Sequence, residues 1–362
     1  MSRLLRVELR RLWARQVTRW ACVGVLVLVA LSTLAAFGTA RPPSDQDVQA
    51  AQDAYASELE LWEDEGDQWL AECEEGAEAE GASPEEWGCD DMAPRLENYL
   101  PPTQTFVPDA DQLAMMYGDP EVNAGDDATA DAVAEIQGSV WNGWGGLGTL
   151  DDVSTLLVLV ALVVGVSFVT AEVNSGSMGM WLTFEPRRQR VYWSKAVAAA
   201  VGTVPLVLVG FALLVGATYA TYASFGTLGD VTGAVWGEVA AFTGRLVVAG
   251  SVLAAVGVAL GVLLKHAAAA VGVVGVVAWG SLAFGYGLGE AQRWLPTTAL
   301  TAWLQGGAVF TVEDCAPTAD GVFECVPVEH VVTTAQGGLT VLALAVVLTL
   351  LAVLVFRRRD VS

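Results

Sequence analysis

The stretch "VSTLLVLVALVVGVSFVTA", residues 153–171, carries no charged side chain. A helix needs about 20 mostly apolar residues to cross the hydrocarbon core of a bilayer. Lipid cannot form hydrogen bonds with backbone N–H and C=O groups. A single segment can pair all of these groups within itself only as a helix. This stretch therefore predicts a membrane-spanning helix, and a hydrophobic content of 54% extends that expectation to the rest of the chain.

Five further windows share this length and also lack Asp, Glu, Lys, Arg and His. They are residues 20–39, 196–219, 246–264, 267–289 and 335–356. The first follows a basic leader, as a secretory signal would, but the apolar core of a signal is only about 7–15 residues long. We therefore predict an all-α integral membrane protein with six transmembrane helices.

Basic residues concentrate on one side of these windows. The segment "NSGSMGMWLTFEPRRQRVYWSK", residues 174–195, holds four of the 18 Lys and Arg residues. The leader, Lys265 and the end of the chain bring the total on that side to 14. Because Lys and Arg near span ends favour the cytoplasm, both termini are expected there and the spans are expected in a plasma membrane.

Acidic residues occupy the opposite side. Residues 41–149 contain 27 Asp and Glu against two Arg, and they account for the net charge of −23. They predict a large acidic extracellular insertion between helices 1 and 2, and no nucleic-acid partner. The expected domains are an amphipathic interfacial helix at 1–19, the first span at 20–40, the acidic segment at 41–149, and the remaining spans at 150–362 with an extracellular loop at 290–334.

Several local patterns predict helices outside the spans. Leu5, Leu9 and Leu12 give the leader one apolar face, which is typical of a helix lying flat in the membrane interface. Ser44 and Asp47 form a capping pattern before a helix over residues 44–74. Shorter helices are expected at 112–116, 128–137, 234–242 and 298–304.

Four of the five cysteines fall in two close pairs outside the predicted membrane. Cys73 and Cys89 lie in the acidic segment, and Cys315 and Cys325 lie in the last outer loop. Outside the cytoplasm such cysteines form disulfides. Four cysteines allow three pairings, of which we predict the local one, Cys73–Cys89 and Cys315–Cys325. Zinc is the weaker alternative, because His330 is the only histidine near either pair, and no metal site is expected.

The chemistry of an enzyme is missing from the sequence. A phosphate-binding Walker loop ends in Lys-Ser or Lys-Thr, whereas Lys195 and Lys265 are followed by Ala and His. The spans also lack the ionisable groups of proton relays. We predict a chain without catalytic activity or cofactor.

Small residues recur in the fourth and fifth spans. Gly257 and Gly261 form a GxxxG pattern, and Gly272 and Gly275 continue it in the next window. Such positions allow close helix packing; a sliding surface used in transport is the alternative.

The segment "AEVNSGSMGMWLTFEPRRQRVYWSKA", residues 171–196, resembles the cytoplasmic signature of ABC transporter permeases of the ABC-2 membrane type. That signature is approximately a Glu, Ser-Gly-Thr/Ser-Met, Leu-Thr, Pro-Arg-Arg and a Lys that opens the next helix. The ending "FRRRDV" and the arginine-rich leader fit the same family. The resemblance weakens in residues 41–149.

The resemblance implies an exporter in which two six-span chains pair and two separate P-loop ATPase subunits bind at a cytoplasmic coupling loop, here residues 172–195. The residues expected to carry this contact are Glu172, Gly176, Ser177, Met178, Trp181, Leu182, Pro186, Arg187, Arg188 and Arg190. The arginines could also meet membrane lipid. Sixteen Arg against two Lys is typical of a GC-rich prokaryote, which favours an inner membrane. The alternative function is a membrane-anchored scaffold or sensor that acts through its acidic segment.

Overall fold

The computed structural model of the chain describes residues 2–100, 104–108, 113, 127–142, 145–175, 177, 187–317 and 323–358. The chain divides into two compact units. Residues 1–37 and 105–362 form the first unit, and residues 38–104 form the second.

The first unit contains the membrane helices. Six described helices are long and apolar enough to cross a bilayer, which confirms the predicted number. They are α2 (Gln16–Thr39), α7 (Gly146–Asn174), α8 (Arg188–Phe225), α9 (Gly233–Leu264), α10 (Ala267–Phe284) and α12 (Thr334–Arg358). The fifth ends earlier than residue 289, because a 3₁₀ segment, Gly285–Trp294, follows Phe284.

Helices α7 and α9 form the centre of this unit. In each, 61% of the most apolar window is buried, against 17% in α2 and 6% in α10. Glycines bring the two backbones together, since a Cβ at Gly257 would lie 2.2 Å from the carbonyl oxygen of Leu162, and one at Gly165 would lie 2.1 Å from that of Ala254. Gly261 also faces α7, 3.0 Å from the Val166 oxygen by the same measure.

Helix α1 (Ser2–Ala14) precedes the spans, as the leader predicts, and a bend at Arg15 separates it from α2. Its leucine face packs on protein: Leu12 is buried, and a Cβ at Gly202 in α8 would lie 2.4 Å from a Leu12 methyl carbon. The helix is therefore attached to the third span through the apolar face that the sequence assigns to the membrane interface.

Two sequence predictions for the outer connections need correction. The predicted short helix at 234–242 is the first part of α9, whose start is capped by the Thr232 hydroxyl. It continues into the span because the residues from Phe242 to Leu246 include no proline. Helix α11 (Pro296–Gln305) agrees with the prediction, but an antiparallel hairpin of β1 (Gly307–Pro317) and β2 (Phe323–Thr333) follows it. The fold is thus predominantly helical, as predicted, with one small two-stranded sheet that was not predicted. The β-branched residues in "AVFTVED" were the signal for it.

The second unit is built on α3 (Asp45–Glu80). Ser44 caps this helix, because its hydroxyl accepts a hydrogen bond from the Asp47 N–H while the Asp47 carboxylate accepts one from the Ser44 N–H. The Ser44 hydroxyl also donates to the Asp47 carboxylate, and this bond, together with the one from the Ser44 N–H, lowers the pKa of Asp47. The helix runs six residues beyond the predicted end at 74, through "EGAEAE", and stops at Gly81 with a φ of +74°.

Shorter elements complete the described chain. The second unit adds α4 (Pro84–Trp87) and α5 (Leu96–Tyr99), and the first unit adds α6 (Asp127–Gln137), which confirms the helix predicted at 128–137. Of the helix predicted at 112–116, the structure describes only residue 113, so that prediction stays untested. The structure contains both local disulfides, Cys73–Cys89 within the second unit and Cys315–Cys325 across the hairpin.

Candidate functional site

A buried cluster of charges connects the end of α7, the start of α8 and helix α1. The Lys195 Nζ lies 2.6 Å from a Glu172 carboxylate oxygen and 3.1 Å from a Glu8 carboxylate oxygen. Arg15 completes the cluster, with its guanidinium 2.5 Å from the other Glu172 oxygen. Two carboxylates thus meet two cations, and the cluster has no net charge.

Burial makes these contacts structurally important. The side chains of Lys195 and Glu8 are 1% and 2% exposed, and that of Glu172 is 7% exposed. A charge removed from water is tolerated only when it is paired and hydrogen-bonded. Lys195 donates to both Glu8 oxygens, whereas its contact with the nearer Glu172 oxygen is an ion pair without hydrogen-bond geometry. The three buried charges therefore depend on one another, and Arg15, whose side chain is 21% exposed, adds a more accessible partner for Glu172.

Phe168 lies beneath both cations, one turn before Glu172 on α7. Its ring centroid is 4.8 Å from the Lys195 Nζ and 5.0 Å from the Arg15 guanidinium carbon. A cation over an aromatic face gains a further attraction that is strongest when water is excluded. The ring thus adds a second tie from α7 to both the leader and α8.

The end of α7 is closed by serine hydroxyls. Ser175 and Ser177 each donate to the carbonyl oxygen of Glu172 at 3.4 Å, and the two hydroxyls lie 2.9 Å apart. A cavity of about 350 Å³ opens beside them, and Arg11 and Arg15 contribute to its lining. This end of the span therefore exposes polar groups next to the ion cluster.

The predicted arginines lie at the start of α8. Arg187 precedes the helix and is exposed, as is Arg190, whose N–H bonds the Arg187 carbonyl oxygen. Arg188 instead donates to the carbonyl oxygen of Phe356 at the end of α12, 3.4 Å away. Among the described coupling residues, Glu172 therefore belongs to the cluster and Ser177 lies beside it, while Arg187 and Arg190 face outward.

Five of the predicted coupling residues fall outside the described part of the chain: Gly176, Met178, Trp181, Leu182 and Pro186. Their assignment to the coupling loop stays a prediction. The structure describes both flanks of the loop, and the ion cluster joins those flanks.

Glu8 and Arg15 were not among the residues that the sequence pattern assigned to a site. Glu8 follows Leu5 by three residues and precedes Leu12 by four, so it lies on the apolar face of α1. An acid on an apolar face needs a buried cation, and that was the available signal. The cation itself, Lys195, is one of only two lysines in the chain.

The four predicted packing glycines have different surroundings. Gly257 and Gly261 lie against the α7 backbone, as described above. A Cβ at Gly272 or Gly275 on α10 would meet nothing within 4 Å. The predicted packing role of this second pair therefore has no partner within the described chain.

Comparison with known proteins gives one family. The family model for ABC-2 family transporter proteins matches residues 13–361, which includes Glu172, Lys195 and all six spans. Glu8 lies just before the matched region. Searches of curated proteins and of solved structures found no match.

Proposed function

Because the chain belongs to the ABC-2 family of transporter proteins, we propose that it is the permease of an exporter whose ATP is hydrolysed by a separate P-loop ATPase subunit. Family and spans together make it a multi-pass membrane transport component. A permease of this family normally works with an ATP-binding subunit. We further propose that the ATPase binds at the coupling loop, that transport runs outward and that a second permease chain pairs with this one.

The observation that carries the proposal is the ion cluster of Glu8, Arg15, Glu172 and Lys195. Glu172 and Lys195 flank the coupling loop, and their Nζ–oxygen distance is 2.6 Å. A force applied to the loop would therefore reach α7 and α8 as one body. Glu8 and Arg15 would carry the same movement into α1 and the first span.

Charge and disulfides support the same orientation independently. The basic residues favour a cytoplasmic loop and cytoplasmic termini. Disulfides persist in oxidising compartments outside the cytoplasm, and both bonds fall in segments that the charge pattern assigns to the outside. This agreement supports an orientation in which the acidic segment 41–149 lies outside and the coupling loop lies in the cytoplasm.

A second permease copy is proposed to pack on α10. Only 6% of the apolar window of this helix is buried, and Val276, Trp279 and Leu282 are exposed along it. Gly272 and Gly275 offer the flat surface on which helices pack closely in lipid. A helix with so few contacts inside its own chain is a good candidate for the interface between two chains.

Co-purification tests the motor connection. The full chain is purified from its host in mild detergent, and the associated P-loop ATPase is quantified. Replacing the exposed Arg187 and Arg190 by Gln should reduce the ATPase recovered several-fold, because charge-assisted contacts are about twice as strong as neutral ones. Arg357→Gln with Arg358→Gln is the matched control, since these arginines are also exposed, at the end of α12.

The result shows whether the ATPase-binding surface includes the start of α8. Loss with the first pair and retention with the control supports a coupling surface that includes the start of α8. Equal recovery from both variants would remove these arginines from it, and absence of any ATPase from the unmodified chain would contradict the exporter. The scaffold or sensor alternative predicts function without nucleotide, carried by the second unit with its capped helix and disulfide.

A further inference from the structure

Arg245 on α9 is a membrane-level arginine whose partner is missing from the described chain. Its Nε is buried and has no hydrogen-bond partner among the described residues, and no described carboxylate lies within ion-pairing distance. The guanidinium rests against Gly306, where a Cβ would lie 2.8 Å from Nη1. Arg245 as a whole is half-buried, so its Nη groups stay open to the surroundings of the helix. A guanidinium normally has an acceptor, so an anion from outside the chain is expected at that open side.

The depth of Arg245 along the span identifies where that anion lies. It immediately precedes the uncharged window 246–264, which at 1.5 Å per residue measures about 28 Å. That is close to the thickness of the hydrocarbon core, about 30 Å. Arg245 therefore sits at one edge of the core, at the level of the lipid phosphates.

An apolar cleft begins one turn deeper on the same face of α9. It has a volume of about 430 Å³ and is bounded by α9, Trp303 of α11 and the first turns of α12. Val248 and Val252 follow Arg245 by three and seven residues, which places them below it on the helix. The cation and the cleft are thus stacked along the membrane normal.

The walls of the cleft are held in place by close contacts. The Trp303 indole N–H donates to the Arg245 carbonyl oxygen at 3.0 Å. A Cβ at Gly338 of α12 would lie 2.4 Å from the Trp303 ring, so the tryptophan fits against a bare backbone. Leu339 and Leu342 are exposed beside it, so the cleft has an open side lined by apolar groups.

We propose that this site binds a membrane phospholipid, with the phosphate on Arg245 and an acyl chain in the cleft between α9 and α12. A cation at headgroup depth with an apolar cleft beneath it matches both parts of such a molecule. Glu238, two turns toward the start of α9, is the acid that acts electrostatically on Arg245. It favours a zwitterionic or singly charged headgroup over a multiply charged one.

Native mass spectrometry of the full chain in mild detergent tests the site. Phosphatidylglycerol is titrated into the unmodified protein and into Arg245→Gln, with Arg245→Lys as the variant that keeps the charge. The control is Arg293→Gln, because Arg293 already has a carboxylate partner, Glu290, at 3.4 Å. Arg245→Gln should weaken binding about tenfold, as expected for loss of a hydrogen bond to a charged group, and the other two variants should stay within about twofold.

Two further arms distinguish the ligand. Diacylglycerol, which lacks the phosphate, should bind the unmodified protein no better than it binds Arg245→Gln. Inorganic phosphate should fail to displace the lipid. Equal phosphatidylglycerol binding by Arg245→Gln, or displacement by inorganic phosphate, would overturn the proposal.

A substitution in the cleft tests the same site without altering Arg245, in case Arg245→Gln weakens binding only by destabilising the fold. Leu339→Trp fills the open side of the cleft from an exposed position and leaves Arg245 intact, so it should weaken phospholipid binding while the melting temperature without lipid stays unchanged. Unweakened binding in this variant would also overturn the proposal. The assay needs no nucleotide or ATPase, so its outcome is independent of the proposed function.

Discussion

At the scale of single residues, Lys195 is the group on which the ion cluster depends. It is the one member that contacts both carboxylates, Glu8 and Glu172. Without it Glu8 would stay buried with no described cation at ion-pairing distance. Removing one partner of a buried pair costs about 3–5 kcal/mol, whereas replacing a whole pair by apolar residues is often neutral.

This asymmetry gives a prediction for Lys195. Lys195→Met should lower the melting temperature in detergent strongly, by a loss of about 3–5 kcal/mol. Adding Glu8→Leu to that variant should recover most of the loss, because no unpaired carboxylate then remains on α1. If the double variant is no more stable than Lys195→Met, Glu8 and Lys195 are not energetically coupled.

Two residues of this cluster could be assigned from the sequence, and Glu8 could not. Glu172 and Lys195 were visible because each borders an apolar window and occurs in the family signature. Glu8 was not assigned, because the arginines around it made α1 look like a helix facing lipid. Which span it would meet depends on how α1 folds back onto α8 at Gly202, and no local pattern specifies that contact.

At the scale of elements, backbone contact between α7 and α9 forms the rigid centre of the membrane unit. Six uncharged windows were enough to predict the spans, because the bilayer constrains helix length so strongly. They could not predict which spans meet. The hairpin after α11 was missed for a different reason: an outer loop of 45 residues can be irregular or folded, and its short strands give a weak pattern.

The two pairs of glycines should respond differently to substitution. Gly257→Ala places a methyl group 2.2 Å from the Leu162 oxygen and should destabilise the fold by about 1–3 kcal/mol, seen as a lower melting temperature in detergent. Gly272→Ala, on the bare face of α10, should leave that temperature unchanged. A second readout, the fraction of paired chains by cross-linking, should fall only for Gly272→Ala if α10 forms the interface between copies. Equal effects of the two substitutions on both readouts would contradict this division.

At the scale of the whole molecule, charge is distributed very unevenly between the two sides predicted for the membrane. Residues 41–149 carry 27 acids and two arginines, while the rest of the chain has a small positive balance. Positive residues near span ends determine orientation, and acids contribute little to it. The coupling assignment therefore depends on a single geometric fact, the side on which α8 begins.

Cysteine labelling measures that side directly. In a Cys22→Ala background, Gln189→Cys probes the exposed start of α8, and Asp230→Cys probes the exposed connection between α8 and α9. Neither change removes a basic residue, so the positive-inside signal is unaltered. An impermeant maleimide added to intact cells should label position 230 promptly and position 189 only after permeabilisation. Prompt labelling at 189 in intact cells would place the loop outside, where no ATPase or ATP is present, and the proposed exporter could not then be driven through it.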